Sequence, residues 1–324
     1  MSQPPAPDPR AAVLAVREEV GKVIVGQEGT LSGLVTALLV GGHVMLEGVP
    51  GVAKTLLAKA LAASLALDFT RVQFTPDLMP ADILGQLIYT QGRSAASGEL
   101  RFREGPVFTN LLLADEINRT PPKTQSALLE AMEERQVTIE GTARPLPSPF
   151  IVIATQNPIE YEGTYPLPEA QLDRFLLKLN VGYPSAEQEQ EVLRRHDRGL
   201  DPHDIAGVVR PVATAADLEA ARALVGEVTV EDPVLGYVVD LARATRQSPS
   251  LSLGVSPRGS AMLLHAAKAW AWLSGRTFVT PDEVKAMAKP ALRHRVQLRP
   301  EVELDGATVD GVLDGLLATV PVPR

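Results

Sequence analysis

The eight residues GVPGVAKT, at positions 48–55, constrain the fold of this chain more than any other stretch. They follow a short apolar run at 43–47 and precede a helical pattern at 56–67, an order typical of a phosphate-binding loop. Glycines allow backbone N–H groups to turn onto phosphate oxygens, and the helix directs the positive end of its dipole towards them. We expect Lys54 to reach the β and γ phosphates and Thr55 to bind Mg²⁺, with a chance glycine-rich turn as the alternative. The residues predicted to bind a nucleotide in this loop are Gly48, Val49, Pro50, Gly51, Val52, Ala53, Lys54, Thr55 and Leu56.

Ala53 departs from the usual form of this loop, which has glycine directly before the lysine. Alanine disfavours a positive φ, so its methyl group is harmless only where the backbone is helical. The sequence therefore predicts that position 53 already belongs to the first turn of the helix.

Two carboxylates end the buried-strand pattern LLLADE at 111–116. We expect Asp115 to hold Mg²⁺ through water and Glu116 to polarise the attacking water as a general base. Nucleotide binding alone would not require that base, so the pair predicts ATP hydrolysis. The alternative is an ordinary strand that leaves the core at acidic residues. A position about 60 residues after the phosphate loop disfavours that alternative.

The next apolar run, at 150–157, ends in the neutral amide of Asn157. An amide at this point can orient the water or contact the γ-phosphate without adding negative charge beside it. A structural asparagine in a turn before proline is the alternative.

Five short apolar runs separated by helical or loop segments predict an α/β fold with a parallel sheet covered by helices. From about residue 184 the pattern changes to amphipathic helices, several of which begin at a Ser or Thr cap followed by proline. We therefore predict a disordered, proline-rich leader at 1–9, an α/β nucleotide-binding core at 10–183 and an all-helical domain at 184–324. The predicted strands are 43–47, 69–74, 111–114, 150–154 and 175–181, and the predicted helices of the second domain are 186–196, 215–225, 233–247, 257–273 and 281–293.

Composition and charge exclude several classes of function. The formal net charge is −8, so the basic surface typical of nucleic-acid binding is missing, and we do not expect a nucleic-acid partner. The sequence contains no cysteine, which excludes disulfides and thiolate chemistry. No apolar run is long enough to span a membrane, and the first residues lack the features of a signal peptide. A cytoplasmic protein is the expectation.

Several long motifs in this order resemble the MoxR family of AAA+ ATPases, and the resemblance covers nearly the whole chain. They are VIVGQ at 23–27, GVPGVAKT, LLLADEINRTPPKTQSALLEAMEERQVT from 111, ATQNP at 154–158 and EGTYPLPEAQLDRF at 162–175. The resemblance implies a P-loop core whose sheet has the order 5-1-4-3-2, followed by a small helical lid. It also implies that ATP and Mg²⁺ bind between the two domains and at a subunit boundary, and that the protein forms hexameric rings.

The resemblance also assigns roles to residues outside the phosphate loop. Val25, Gly26 and Gln27 are expected to line the adenine side, and Asn157 to act as the residue called sensor 1. Arg174 is expected to be the arginine finger that reaches the ATP of the neighbouring subunit, and Arg258, in VSPRGS, to be sensor 2.

Residue-level reasoning about Arg174 agrees, because a guanidinium just before a strand rich in Phe and Leu should face a phosphate or a carboxylate. A plain salt bridge with Asp173 or a nearby glutamate is the alternative. Arg119 is a weaker candidate for the same interface. The basic cluster RHRVQLR at 293–299 is expected to complement a helix end and neighbouring acids, with anion or partner binding as the alternative.

Two segments resemble insertions of this clade, one at 81–105 in the second helix region and a hairpin at 135–149 before sensor 1. Both are expected to lie towards the pore or the substrate. The leading functional hypothesis is a chaperone-like ATPase whose ring remodels or activates a client protein, with a von Willebrand factor A-type partner implied by the resemblance alone. The alternatives are a chelatase-type or DNA-acting motor subunit, and an ATP-gated scaffold that rarely hydrolyses.

Overall fold

The computed structural model describes residues 8–91, 98–157, 163–202 and 204–323. Residues 1–7 of the predicted leader lie outside these ranges. The first helix begins at Pro9, the last residue of the predicted leader, because the Asp8 carboxylate accepts a hydrogen bond from the Arg10 N–H at 3.0 Å and caps it.

The secondary structure follows the predicted order. The helices are α1 (Pro9–Gly21), α2 (Glu28–Val40), α3 (Lys54–Ser64), α4 (Pro80–Leu84), α5 (Pro122–Glu134), α6 (Glu169–Leu172), α7 (Ala186–Asp197), α8 (Ala215–Glu227), α9 (Asp232–Gln247), α10 (Pro257–Leu273), α11 (Pro281–Leu292), α12 (Pro300–Leu304) and α13 (Val309–Thr319). The strands are β1 (His43–Glu47), β2 (Phe69–Gln73), β3 (Gly85–Gln91), β4 (Gly98–Glu104), β5 (Leu111–Asp115), β6 (Gln136–Ile139), β7 (Thr142–Pro145), β8 (Ile151–Gln156), β9 (Phe175–Asn180), β10 (Leu251–Leu253) and β11 (Gln297–Leu298).

Five parallel strands form the central sheet in the order β2-β5-β8-β1-β9. Numbered by their own sequence order, these strands read 2-3-4-1-5, so the predicted order 5-1-4-3-2 is confirmed. The carboxyl ends of β1, β5 and β8 meet at one edge of the sheet, and each of these strands leads into a predicted site residue or loop. Ligands of open parallel sheets bind at this edge.

Successive residues of the sheet face two different apolar cores. On β1, for example, Val44 and Leu46 contact the core formed with α1–α3 and the later helices, whereas Met45 faces the core formed with α5. Both faces are therefore covered, which explains why the strands are apolar throughout rather than alternating.

The region after residue 184 packs on one face of this core. Helix α8 contacts α1 and α2, α10 contacts α2, and α11 contacts the edge strand β9. Side-chain caps begin several helices as predicted; Ser256 Oγ, for example, accepts from the Gly259 N–H at 3.0 Å. The short antiparallel pair β10–β11 is an addition to the predicted helices, and it is too short to produce a periodic pattern.

The two predicted insertions are both β-hairpins. Strands β3 and β4 pair from Gly85↔Glu104 to Gln91↔Gly98, and β6 pairs with β7. On the first hairpin Tyr89 and Leu100 are directly paired and well exposed. In the described part of the chain, none of the helices combines the length and apolar character needed to cross a bilayer.

Candidate nucleotide site

A cavity of about 640 Å³ lies at the carboxyl edge of the sheet, a volume within the usual range for small-molecule sites. Loops from three parallel strands and the start of the second region surround it. Of the residues predicted from the sequence, its lining includes Val25, Gln27, Pro50, Gly51, Val52, Ala53, Lys54, Thr55, Leu56, Asp115, Glu116 and Asn157.

The phosphate loop connects β1 to α3 and is held against β9. A side-chain carbon added at Gly48 would lie 2.3 Å from the Val181 carbonyl oxygen, so only glycine allows this approach. The Lys54 ammonium donates to the Gly48 carbonyl oxygen at 2.6 Å, across the mouth of the loop. Helix α3 begins at Lys54, and its first three residues line the cavity, so its amino-terminal end lies at the cavity wall.

Ala53 has φ +61° and ψ +23°, a left-handed conformation, so the prediction of a helical residue was wrong. The residue precedes the helix as its cap: its carbonyl accepts the first helical bond, from the Leu57 N–H at 2.9 Å. The reversal of the chain between Gly51, also at positive φ, and Lys54 requires this conformation. For an alanine it costs roughly 1 kcal/mol.

Asp115 is buried and hydrogen-bonded on both oxygens. Thr155 Oγ1 donates to Asp115 Oδ1 at 2.6 Å, and Arg71 donates to Oδ2 from two nitrogens at 3.0 and 2.7 Å. These contacts fix the orientation of the carboxylate in the cavity wall. Neither Thr155 nor Arg71 carried a sequence signal, because each pairs with Asp115 from a neighbouring strand about 40 residues away.

Glu116 leaves the end of β5 with φ +58°. Its N–H donates to Thr155 Oγ1 at 2.9 Å, and its Oε2 accepts from Gln73 Nε2 at 2.8 Å. Arg119 Nε lies 3.1 Å from the same oxygen, so the weaker interface candidate contacts the predicted base within its own subunit. The positive φ and three neighbours fix the carboxylate at the cavity wall.

Asn157 is 4% exposed and lies in the cavity wall at the end of β8. On the predicted adenine side, Gln27 Nε2 donates to the Gly182 carbonyl at 3.2 Å, and Gly26 lines an adjacent cavity. Sequence reasoning missed the opposite wall, which Tyr183 and helix α7 provide.

The oxygen atoms available in the cavity suit Mg²⁺ bound together with a nucleoside triphosphate. The described residues hold no cluster of three or more His, Asp or Glu with metal-binding geometry. The two predicted ligands, the Asp115 carboxylate and the Thr55 hydroxyl, both line the cavity that contains the phosphate loop. Mg²⁺ characteristically takes few protein ligands and completes its shell with water and phosphate oxygens.

Arg174 and Arg258 do not line this cavity. They line a separate one of about 190 Å³, together with Glu133 at the end of α5. Arg258 donates to Glu133 Oε2 at 2.7 Å, and Arg174 Nε lies 4.0 Å from the same oxygen. The two arginines therefore share one carboxylate, and in this structure Arg174 makes the ion pair with a nearby glutamate that was the alternative interpretation.

Asp173, next to Arg174, pairs instead with Arg295 from the basic cluster. Arg295 Nε donates to Asp173 Oδ1 at 2.6 Å, and Arg293 donates to Asp310 at 3.0 Å. The prediction that the cluster complements neighbouring acids is therefore confirmed for these two arginines. Burial lowers the pKa of Arg295 below its ordinary value, and its hydrogen bond to the Asp173 carboxylate opposes that shift.

His43 is buried behind the same cavity as the two arginines. Its Nδ1 accepts from the Val152 N–H at 3.0 Å, so Nε2 carries the proton and donates to the Met132 carbonyl at 3.1 Å. Burial lowers the pKa of His43 to about 4, and the Met132 hydrogen bond opposes part of the shift. The imidazole is therefore neutral at pH 7 and ties β1 and β8 to the end of α5.

Comparison with known proteins agrees with this architecture. Residues 43–177 match the ATPase family associated with various cellular activities (AAA), and residues 243–315 match the AAA lid domain. The chain is 47% identical to the uncharacterized protein YeaC of Bacillus subtilis, covering 94% of this chain and 93% of that protein. It is 45% identical to Chaperone MoxR1 of Mycobacterium tuberculosis, covering 94% and 81%. A crystal structure of a Cytophaga hutchinsonii protein superposes with a TM-score of 0.88 at 40% identity, covering 98% of this chain and 96% of that one.

Proposed function

Because the chain belongs to the MoxR family of AAA+ ATPases, we propose that it hydrolyses ATP in a ring whose active sites each take two arginines from the next subunit. The observation that carries this proposal is the separation of the candidate residues into two places. The phosphate loop, Asp115, Glu116 and Asn157 share one cavity, whereas Arg174 and Arg258 meet at Glu133 outside it. A subunit with this arrangement has a complete binding site and an incomplete hydrolytic one.

Within its own cavity the subunit binds and prepares the nucleotide. Lys54 and the N–H groups at the start of α3 hold the phosphates, and Thr55 and Asp115 hold Mg²⁺. Bound Mg²⁺ neutralises charge on the phosphate oxygens. Glu116 accepts the proton of the attacking water, and Asn157 orients that water or the γ-phosphate without adding negative charge.

The neighbouring subunit supplies Arg174 and Arg258. A guanidinium stabilises the charge that develops on the transferred phosphoryl group, and an arginine finger is typically worth roughly 10³ to 10⁵ in rate. Both arginines are partly exposed, and their ion pairs among the described residues, with Glu133, lie at the surface. Surface ion pairs contribute about 0–1 kcal/mol, so a phosphate can compete for these arginines.

The ring, in this proposal a hexamer, uses hydrolysis to remodel, mature or activate a client protein. The hairpin β3–β4 is the proposed contact, because it leaves Tyr89 and Leu100 exposed on one face. A partner with a von Willebrand factor A-type domain and a cytoplasmic location remain part of the proposal, and the family relationship supports the first. The name of the relative MoxR1 describes that protein as a chaperone.

Three variants test the hydrolytic assignments. Lys54→Ala should lose nucleotide binding, Glu116→Gln should bind ATP but retain it unhydrolysed, and Arg174→Ala should bind normally and hydrolyse slowly. Turnover is measured as phosphate release with Mg²⁺ and binding with a fluorescent ATP analogue. Normal turnover by Glu116→Gln would refute its role as the base.

The alternatives give different results in the same assays. DNA-stimulated turnover would favour a DNA-acting motor, and ATP-dependent stimulation of metal insertion into a porphyrin would favour a chelatase-type subunit. Assembly on ATP with no measurable turnover by the wild type would favour a scaffold. Pull-down with ATP-bound Glu116→Gln rings should retain the client.

A further inference from the structure

Arg295 connects the second region to the backbone on both sides of Arg174. Its Nη2 donates to the Asp173 carbonyl at 3.1 Å and to the Phe175 carbonyl at 2.6 Å. Its Nη1 donates to the Leu176 carbonyl at 3.2 Å. The Phe175 and Leu176 carbonyls belong to the first two residues of β9, which lies at the edge of the five-stranded sheet in the described part of the chain. The guanidinium thus holds the backbone that carries Arg174.

The same side chain is coupled to Arg258 through Asp173 and the start of α10. Arg295 Nε donates to Asp173 Oδ1, and Ser256 Oγ donates to the other carboxylate oxygen at 3.2 Å. Ser256 also caps α10, whose second residue is Arg258. A side-chain carbon added at Gly259 would lie 2.8 Å from Arg295 Cδ, so the arginine stem passes directly against the residue after Arg258.

We propose that Arg295 is a positioning residue that fixes Arg174 and Arg258 relative to each other for use in the neighbouring subunit's site. The inference rests on the proposed function, since it concerns the two arginines assigned there. Arg295 itself is only 1% exposed at its side chain and does not line the candidate nucleotide cavity.

The contacts that position 295 makes with the Asp173 carboxylate and the neighbouring carbonyls require an arginine. A buried ion pair is weak support for stability alone, since apolar side chains of similar volume often serve as well. A planar guanidinium, however, can bond a carboxylate and several carbonyls at once, which a lysine ammonium cannot do in the same geometry. A guanidinium can therefore fix Arg174 and Arg258 relative to each other, although their elements lie over 80 residues apart in the sequence.

The test compares Arg295→Lys with Arg293→Lys as the matched control. Arg293 is two residues away and pairs with Asp310 on α13. Displacing catalytic groups by about 1 Å can lower the rate about 100-fold, so Arg295→Lys should lower kcat about 10- to 100-fold. Its KM for ATP should change by no more than about twofold, because its own cavity is intact. Arg293→Lys should turn over like the wild type.

Mixing with Lys54→Ala subunits distinguishes positioning from a folding defect. Lys54→Ala subunits cannot hydrolyse ATP but carry intact arginines. In a random equal mixture, about one interface in four places the arginines of a Lys54→Ala subunit beside the intact cavity of an Arg295→Lys subunit. Arg295→Lys should therefore recover to about one quarter of the wild-type rate per subunit. The double variant Lys54→Ala/Arg295→Lys should give no recovery.

Asp173→Asn provides a second route if Arg295→Lys does not fold, as judged by circular dichroism, and it should show the same loss and the same recovery. The inference is overturned if both variants keep wild-type kcat, or if neither recovers in a mixture that restores Arg174→Ala. Wild-type turnover by Arg174→Ala, measured alongside, would instead show that the proposed completion by a neighbour is wrong.

Discussion

Replacing His43 should change how the stability of the protein depends on pH. The folded protein holds this imidazole neutral, with the pKa of His43 near 4, whereas the unfolded chain should titrate near 6.5. Below pH 6.5 the unfolded state therefore binds a proton at His43 that the folded state does not bind, so the free energy of unfolding falls as the pH falls towards 4. The full difference corresponds to about 3 kcal/mol.

At pH 5 the loss due to His43 should be about 2 kcal/mol relative to pH 7.5. His43→Asn removes the titrating group, and at pH 7.5 it should be less stable than the wild type by about 1–3 kcal/mol because the bond to the Met132 carbonyl is lost. Between pH 7.5 and pH 5 the gap between the two proteins should therefore narrow by about 2 kcal/mol.

Urea denaturation at several pH values, followed by circular dichroism, measures this gap. Other groups that titrate, including His294, whose pKa burial lowers well below 6.5, contribute equally to both proteins and cancel in the difference. Comparable m-values would show that both proteins unfold in the same manner. A gap that stays constant between pH 7.5 and pH 5 would refute the account of His43 as a buried neutral imidazole.

Three further predictions concern the candidate site. Ala53→Gly should keep nucleotide affinity with a stability change within about 1 kcal/mol, whereas the β-branched Ala53→Val should lower affinity about tenfold or more, as measured by titration of a fluorescent ATP analogue. Glu133→Gln should free Arg258 and raise kcat/KM by at most about fivefold, since the pair is 40% and 38% exposed; a tenfold fall in steady-state turnover would instead make Glu133 a positioning residue. Thr155→Val should destabilise the protein by about 2 kcal/mol and lower turnover, because Asp115 loses a donor, while Thr155→Ser should keep both; equal unfolding midpoints for the two variants would contradict this.

The sequence predicted those parts of the fold that local patterns determine. Strands buried on both faces leave continuous apolar runs, and β1 was predicted at its observed bounds, His43–Glu47. Helix α10 was also predicted at its observed bounds, because Ser256 and Pro257 mark its start. The hairpins and the strand order required the family resemblance, since nothing local specifies which strands become neighbours.

Contacts between distant segments could not be predicted. Arg295 lies 122 residues from Asp173, and Arg258 lies 125 residues from Glu133, so no spacing rule relates them. A basic cluster in a sequence does not reveal which of its members is buried. Ala53 shows the opposite failure: a local rule about alanine was overridden by the turn that the phosphate loop requires.

Strand β9 connects Arg174 to the phosphate loop, which has a mechanical consequence for communication around the proposed ring. The strand begins directly after Arg174. Just beyond its other end, the Val181 N–H donates to the Glu47 carbonyl at 2.7 Å, and Gly48 packs against the Val181 carbonyl. Six extended residues span about 20 Å and pair with β1, with one register shift at Leu176. No glycine lies among them. In the proposed ring, a displacement of the phosphate loop would therefore be transmitted along this strand to the arginine offered to the adjacent triphosphate.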